Sequence, residues 1–257
     1  EVLQNSLSLN NCNKNIFQII ESKDRQDTIE FMNLTEFVDL IVPRGGKGLI
    51  QTLVDNSKVP FILDGDGNVH LYIHQDAKKE HIIDIVINSK VQRPGVCNAL
   101  ETLLINSEIY QDMGSLIIEE LLENKVELFV DEKIKEDFPN LNLANESHYE
   151  TEFLDLKLAV KVVDSVDQAI EHIKVYSSGH TEAILTESKE VADTFAKSID
   201  SSVIFINSST RFTDGEMFGF GSEIGISTQK LHVRGPMGLE ALTNERYVVT
   251  GEGTVRG

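Results

Sequence analysis

Cys97 is the side chain of this sequence best suited to covalent chemistry. It lies in the run QRPGVCN (residues 92–98), in which Pro-Gly indicates a turn, and an apolar stripe at helical spacing follows. This pattern predicts a helix over residues 98–106 with Cys97 in its first turn, where unpaired N–H groups and the helix dipole would stabilise a thiolate. Arg93 would add positive potential. The alternative is a buried structural cysteine, and Cys12, in a polar run, is predicted to have no role.

A glycine-rich turn, VPRGGKGLI (residues 42–50), is the second candidate site. It follows a predicted strand and opens a predicted helix. Its glycines would let the backbone approach a ligand closely, and the N–H groups at the helix start would bind a phosphate. Arg44 and Lys47 would strengthen that binding. The spacing is not that of a P-loop, and a plain strand–helix turn is the alternative.

The third candidate is a polar stretch over residues 207–225, which includes the run SSTRFTDG at residues 208–215. A loop of this length without hydrophobic periodicity favours a functional role. Arg211 stands among hydroxyl side chains, and its planar fork suits a carboxylate or a phosphate. A solvated loop is the alternative. His180 is a further candidate ligand contact, although a lone histidine is more often structural.

Strands and helices alternate along most of the chain. Predicted strands cover residues 17–20, 37–42, 61–63, 69–73, 126–130, 157–163, 183–186, 202–206 and 246–250. Predicted helices cover residues 27–32, 48–55, 78–90, 98–106, 113–124, 166–176 and 189–199. Alternation of this kind predicts an α/β fold with a largely parallel sheet.

Charge and composition exclude several classes of protein. Acidic residues exceed basic ones by 42 to 23, and a net charge of −19 argues against nucleic acid as a partner. No apolar run is long enough to span a bilayer, and no signal-peptide pattern opens the chain. The two cysteines and the histidines show no metal spacing, so we expect no metal site and a reduced, cytoplasmic setting.

Four blocks together resemble the γ-glutamyl phosphate reductase family, a branch of the aldehyde dehydrogenase superfamily. They are IVPRGGKGLI (41–50), VQRPGVCNALETLLIN (91–106), YSSGHTEAILTE (176–187) and NSSTRFTDGEMFGFGSEIGISTQKLHVRGPMGLEAL (207–242). The blocks are long and correctly ordered, and the similarity runs from about residue 16 to the end of the chain, corresponding to the C-terminal portion of the family.

The resemblance implies an aldehyde-dehydrogenase-like fold in three parts. Residues 1–96 and 207–230 would form a partial NADP-binding domain with a parallel sheet, residues 97–206 an α/β catalytic domain, and residues 231–257 a β arm for oligomerisation. The strand at 246–250 would pair with a neighbouring subunit, giving a homodimer or homotetramer. Family members carry further residues before the matched stretch, so we expect these 257 residues alone to show no reductase activity.

The resemblance also implies a reaction. Cys97 would attack the acyl phosphate of L-glutamyl 5-phosphate and expel phosphate, giving a thioester. NADPH would then deliver hydride, and the product would be L-glutamate 5-semialdehyde, an intermediate of proline biosynthesis. The substrate could be handed on by glutamate 5-kinase. The Cys97 N–H would stabilise the oxyanion.

Matching residues to family motifs assigns further roles. Glu152, in TEFL, occupies the place of the ribose-binding glutamate of the wider superfamily. The implied cofactor contacts are Arg44, Gly45, Gly46, Lys47 and Glu152, and the implied substrate contacts are Arg93, His180, Arg211 and Thr213.

Two other functions stay open. Residues 63–68, LDGDGN, lack the glutamate with which hydrolytic aldehyde dehydrogenases activate water, which fits a reductase that must exclude water. Asp64 or Asp66 could replace that glutamate, and the protein would then be a hydrolytic semialdehyde dehydrogenase. The other alternative is a catalytically inactive oligomerisation or regulatory fragment.

Overall fold

The computed structural model describes residues 1–63, 65–231 and 233–257, with the backbone alone at Lys47. The chain divides into two compact units, Glu1–Ile62 and Leu63–Gly257. The predicted domain boundary at Cys97 therefore does not coincide with the division between the units.

The first unit is helical in its described residues. It contains α1 (Val2–Leu9), α2 (Arg25–Phe31) and α3 (Lys47–Asn56). A small core buries Met32, Leu53 and Val59. The strands predicted at 17–20, 37–42 and 61–63 are absent, apart from one parallel bridge between Ile41 and Phe61. Half of the apolar side chains in the first two runs are exposed and none is fully buried, so an apolar run here does not mark a buried strand.

A seven-stranded parallel sheet forms the centre of the second unit, in the order β4-β3-β5-β2-β1-β6-β7. The strands are β1 (Val69–Ile73), β2 (Leu100–Asn106), β3 (Glu127–Val130), β4 (Asn142–Leu143), β5 (Lys157–Val163), β6 (Thr181–Leu185) and β7 (Val203–Ile206). Parallel neighbours require crossover connections, which the intervening helices supply. The predicted α/β fold with a largely parallel sheet is confirmed.

Helices cover both faces of the sheet. They are α4 (Lys79–Val91), α5 (Ser107–Glu123), α6 (Glu132–Asp137), α7 (Glu146–Glu150), α8 (Val166–Tyr176) and α9 (Lys189–Ser198). Leu71 of β1 packs into one core with α4 and α5, and Tyr72 packs into another with α8 and α9. Successive strand residues point to opposite faces, so one strand serves both cores. Among the described helices, none combines the length and apolar character that crossing a membrane requires.

Side-chain caps begin the helices close to the ends of the strands. The Asn106 side chain, at the end of β2, accepts the Glu108 N–H at 2.9 Å and starts α5. Ser165 Oγ accepts the Gln168 N–H at 3.2 Å at the start of α8, and Gln168 Oε1 accepts the Asp164 N–H at 2.9 Å. Short connections of this kind hold each helix against the sheet.

The helix predicted over residues 98–106 is wrong, because this segment contains strand β2. All residues of β2 are buried, between β1 on one side and β5 on the other. A strand buried on both faces is apolar almost throughout, so its sequence satisfies a short helical pattern as well.

β1 is an inner strand of this sheet, hydrogen-bonded to β2 and β6. Residues 69–73, which the sequence assigned to a cofactor domain, therefore belong to the same sheet as the segment after Cys97. The predicted strand at 246–250 does not form. Within residues 231–257, β9 (Gly235–Met237) pairs antiparallel with β8 (Gly225–Ser227).

Candidate active site

Cys97 lies in the turn that connects α4 to β2. The turn is closed by the Ala99 N–H, which donates to the Val96 carbonyl at 3.0 Å, and the Cys97 side chain is partly exposed. Because a strand follows instead of a helix, the helix dipole invoked from the sequence does not act on this thiol. Its surroundings must come from side chains and backbone brought in from elsewhere in the fold.

Gly67 presses against the backbone of Cys97. A Cβ atom at Gly67 would overlap the Cys97 carbonyl, so no side chain fits at this position. The Gly67 N–H donates to Glu152 Oε1 at 2.7 Å. Gly67 is therefore held between the nucleophile turn on one side and the Glu152 carboxylate on the other.

Asn68 fixes the same segment to two other elements. Its N–H donates to Ser178 Oγ at 3.0 Å, and its side-chain amide donates to the carbonyls of Tyr149 and Tyr176 at 2.7 and 2.8 Å. Slightly further along the chain, the N–H and Nδ1 of His70 contact Glu182 Oε2 at 2.9 and 3.1 Å, with both side chains fully buried. His70 is thus a buried structural residue that aligns β1 with β6.

Arg211 brings positive charge to the nucleophile. Its Nε donates to Gln92 Oε1 at 2.8 Å, which ties it to the segment just before Cys97. Burial and the nearby charge of Arg93 lower the pKa of Arg211, whereas Cys97 and Asp214 act in the opposite direction. The structure therefore brings Arg93 and Cys97 each within electrostatic range of Arg211. Positive charge beside a thiol favours its thiolate form.

The terminal nitrogens of Arg211 face no hydrogen-bond acceptor among the described residues. A guanidinium whose Nη1 and Nη2 are available can bind a phosphate or a carboxylate with two parallel hydrogen bonds. Arg93 is exposed on the same turn as Cys97. The pair could hold an anionic group next to the thiol.

His180 and Thr213, the other two predicted substrate contacts, lie in the protein interior. Neither is exposed, and Thr181 Oγ1 contacts His180 Nδ1 at 2.8 Å and Thr213 Oγ1 at 2.9 Å. Burial lowers the pKa of His180 to about 4, so its ring is neutral at neutral pH. In this arrangement both residues support the turn that carries Arg211, and their contact with substrate stays a prediction.

Asn98, which the sequence patterns did not single out, links that turn to the nucleophile. Its side-chain amide donates to the Thr213 carbonyl at 2.7 Å, and its own carbonyl accepts from Thr210 Oγ1 at 2.7 Å. The signal in the sequence was a polar residue directly before the apolar run of β2. Gly67 was also missed, and its only signal was its place in a glycine-rich run.

In the first unit, the PRGG-K turn forms the start of α3. Gly46 is the N-cap, and Arg44, Gly45 and Gly46 are exposed. A Cβ atom added at Gly46 or at Gly48 would meet no neighbouring atom within 4 Å. An exposed helix start suits a phosphate of a dinucleotide, because the first N–H groups of a helix have no partner within the helix. The Lys47 side chain and Asp64, both named from the sequence, lie outside the described residues.

Comparison with known proteins gives the family of the chain. No protein-family model matches it. The γ-glutamyl phosphate reductase of Thermoanaerobacter pseudethanolicus is 50% identical over 239 residues, covering 93% of this chain and 58% of that protein. The γ-glutamyl phosphate reductase of Listeria monocytogenes is 47% identical over 255 residues, covering 99% of this chain and 61% of that protein.

Solved structures agree with these relatives. The crystal structure of γ-glutamyl phosphate reductase from Thermotoga maritima matches with a TM-score of 0.93 and 45% identity, over 99% of this chain and 61% of that one. An acetylating aldehyde dehydrogenase from Geobacillus thermoglucosidasius shares the fold at a TM-score of 0.74 and 17% identity, over 99% of this chain and 65% of that one. The chain thus spans about three-fifths of the length of the curated relatives it matches. It belongs to the γ-glutamyl phosphate reductase family and has the aldehyde dehydrogenase fold.

Proposed function

We propose that the complete protein reduces L-glutamyl 5-phosphate to L-glutamate 5-semialdehyde and phosphate through a thioester on Cys97, a step in proline biosynthesis. The observation that supports this most directly is the position of Cys97 beside Arg211, whose terminal nitrogens have no acceptor among the described residues. A nucleophile next to an anion-binding side chain suits a substrate whose reacting carbonyl carries a phosphate.

The chemistry of the first half-reaction follows from these groups. The Cys97 thiolate attacks the acyl carbon, and the carbonyl oxygen takes up negative charge that the Cys97 N–H can stabilise. The bond to phosphate then breaks, leaving the acyl group on sulfur. We assign Arg211 and Arg93 to the phosphate and the amino-acid end of the substrate, with His180 and Thr213 supporting the same pocket.

NADPH, when bound, supplies the hydride that reduces the thioester. We assign its phosphates to the exposed N-terminus of α3 at Arg44, Gly45, Gly46 and Lys47, because helical N–H groups bind phosphate. We assign a ribose hydroxyl to Glu152. The Glu152 carboxylate already accepts the Gly67 N–H, so its orientation is set before any ligand arrives.

Exclusion of water distinguishes the proposed reductase from a hydrolytic semialdehyde dehydrogenase. The segment around Gly67 presents its backbone to Cys97, and no glutamate lies within residues 63–68. Within that segment, only Asp64 or Asp66 could replace the missing glutamate as a general base for water. The reductase is favoured because a thioester that meets no activated water survives until it is reduced.

We also propose a homo-oligomer in which residues 231–257 contact a second subunit. Tyr247, Val248 and Val249 are 86%, 78% and 93% exposed, and such an extended apolar segment suits pairing with another chain. A nucleophilic thiolate requires a reducing compartment, which favours the cytoplasm. Delivery of the acyl phosphate from glutamate 5-kinase would shorten its exposure to water.

Oxidation of L-glutamate 5-semialdehyde by the complete gene product tests the proposed function. With NADP⁺ and phosphate we expect an acyl phosphate, which hydroxylamine traps as a hydroxamate, and we expect no turnover without phosphate. Cys97→Ala should abolish the reaction. Phosphate-independent formation of free glutamate would identify a hydrolytic enzyme. A folded protein without turnover in either assay would favour the regulatory alternative.

A further inference from the structure

Lys90 and Glu101 form an ion pair that is completely buried. Lys90 Nζ lies 2.7 Å from Glu101 Oε2, and both side chains have no exposed surface. Removing two charges from water is expensive, and a hydrophobic pair of similar size often stabilises a fold equally well. Fold stability alone therefore gives no reason for this pair.

The two residues lie at the ends of the nucleophile turn. Lys90 is the penultimate residue of α4, and Glu101 is the second residue of β2. The chain between them carries Arg93 and Cys97. The ion pair consequently closes the base of this turn, across a sequence separation of 11 residues.

The second oxygen of Glu101 extends the contact to another segment. Glu101 Oε1 accepts the Leu154 N–H at 3.1 Å, and Leu154 adopts a positive φ of 52° that side-chain-bearing residues seldom take. Leu154 stands two residues after Glu152, whose carboxylate accepts the Gly67 N–H at 2.7 Å. Gly67 in turn lies against the Cys97 carbonyl.

These contacts form a closed ring around the nucleophile. It runs from Cys97 along the chain to Glu101, by hydrogen bond to Leu154, along the chain to Glu152, by hydrogen bond to Gly67 and back to Cys97. A ring of this kind fixes the nucleophile relative to Glu152 more tightly than either segment could by itself.

The charges around the pair are acidic. Burial lowers the pKa of Lys90 and raises that of Glu101 to about 7, and the attraction between the two opposes both effects. Glu152 acts on both groups in addition, and Asp155 acts on Lys90. Lys90 is thus the cation that lets Glu101 keep its place beside the Glu152 segment.

We propose that Lys90 and Glu101 are positioning residues, which hold the Cys97 turn and the Glu152 segment in register through the buried ion pair and the hydrogen bond to Leu154. The catalytic consequence rests on the proposed function, whereas the effect on the reactivity of Cys97 does not. The sequence signal for the pair is confined to Glu101, a charged residue inside the largely apolar run of β2.

The test replaces both charges at once. The variant Lys90→Met with Glu101→Leu keeps most of the side-chain volume and leaves no buried charge unpaired. We expect it to melt close to the parent but to alkylate Cys97 with iodoacetamide at least fivefold more slowly relative to Cys12. In the complete gene product we expect kcat to fall about tenfold while KM for the acyl substrate changes less than twofold.

The matched control is a surface ion pair between α4, the helix that carries Lys90, and α5. Lys79 Nζ lies 2.9 Å from Asp112 Oδ2, with both side chains more than half exposed, and Lys79→Met with Asp112→Leu should leave alkylation unchanged. If the buried double variant is folded and alkylates Cys97 at the parent rate, the proposal is overturned. If that variant does not fold, Lys90→Met with Glu101→Gln decides the question, because it removes the ion pair, leaves no buried charge unpaired and keeps an acceptor for the Leu154 N–H. We expect this variant to alkylate Cys97 more slowly than the parent, and a parent-like rate would show that the ion pair has no positioning role, which overturns the proposal.

The two hypotheses fail separately. If the unmodified complete gene product shows no turnover but the buried double variant alkylates Cys97 more slowly than the parent, only the proposed function is contradicted. Normal turnover and normal alkylation in the folded double variant would count against the positioning role alone.

Discussion

Asn98 donates its side-chain amide to the Thr213 carbonyl at 2.7 Å, which joins the residue after the nucleophile to the turn that carries Arg211. The Asn98 carbonyl also accepts from Thr210 Oγ1 at 2.7 Å, so the turn is held at both ends. All three residues are buried. The distance between Cys97 and Arg211 is therefore set by contacts that solvent does not weaken.

Asn98→Ala should loosen this connection. Loss of a buried hydrogen bond that leaves its carbonyl partner unsatisfied costs about 1–3 kcal/mol of folding stability. We expect the displaced Arg211 turn to lose transition-state stabilisation of the same order, so that kcat/KM for the acyl substrate falls about tenfold or more. Steady-state kinetics of the complete gene product measure this. The matched control is Asn142→Ala, which removes an exposed 3.3 Å hydrogen bond to Glu127 and should leave kcat/KM within twofold. Equal kinetics in the two variants would contradict the prediction.

Cys97 should react with iodoacetamide at neutral pH faster than Cys12, although Cys12 is the more exposed of the two. The expected cause is the positive charge of Arg211 and Arg93, which favours the thiolate. Mass spectrometry of peptides after timed labelling measures both rates in one sample. Arg211→Gln should lower the labelling rate of Cys97 relative to that of Cys12. Access alone would favour Cys12, so equal rates, or faster labelling of Cys12, would rule out an activated thiol at position 97.

Arg211→Lys should raise KM for the acyl substrate more than KM for the nicotinamide. Lysine keeps the charge but not the planar pair of donors, and losing a charge-assisted contact costs about 1.5–3 kcal/mol, or roughly 10- to 150-fold. Initial-rate measurements with each substrate varied in turn separate the two constants. An unchanged KM for the acyl substrate would remove Arg211 from the binding site.

Gly67→Ala should destabilise the second unit and disturb the nucleophile, because the added methyl group would overlap the Cys97 carbonyl. Overpacking of this kind costs about 1–3 kcal/mol. Gly48→Ala is the control, since its Cβ meets nothing within 4 Å and lies in α3. For Gly48→Ala we expect the free energy of unfolding to rise by about 0.5–1 kcal/mol. Urea unfolding measures the change in the free energy of unfolding for each variant. Similar changes in the two variants would show that the position of Gly67 does not require glycine.

His172→Phe should make the protein less sensitive to acid. Burial, followed by the charges of His70 and Lys161, lowers the pKa of His172 from 6.5 to about 2 in the folded state. As the pH falls below 6.5 the unfolded chain therefore binds a proton that the folded chain does not, and stability decreases by about 1.4 kcal/mol per pH unit. Phenylalanine removes this contribution and can keep the edge-on contact with Tyr149.

The measurement is the free energy of unfolding in urea at several values between pH 7.5 and 4.5. Near pH 7.5 the histidine is neutral in both the folded and the unfolded chain, so any difference between the parent and His172→Phe there reports packing alone. Below pH 6 we expect the parent to lose stability faster by about 1 kcal/mol per pH unit. Parallel curves for the two proteins would refute the assignment of a neutral buried His172.

The sequence by itself determined which groups are available for chemistry and the class of the fold. Cys97, the run around Arg211 and the alternation of strands and helices are all local patterns, and a parallel α/β sheet follows from that alternation. Most of the strands and helices predicted for the second unit begin and end within about two residues of the observed ones. Helix caps and apolar periodicity depend on neighbouring residues alone, so a local stretch of sequence is enough to predict them.

Only the tertiary structure decided that residues 100–106 form a strand and that Gly67, Asn98 and the Lys90–Glu101 pair surround the nucleophile. A fully buried apolar run satisfies both helical and strand patterns, and β2 is a strand because β1 and β5 supply its backbone hydrogen bonds. Gly67 is 30 residues from Cys97 in the chain, and Thr213 is 115 residues from Asn98. Contacts between such distant residues leave no periodic signal in the sequence, since they depend on how the sheet brings its strand ends together.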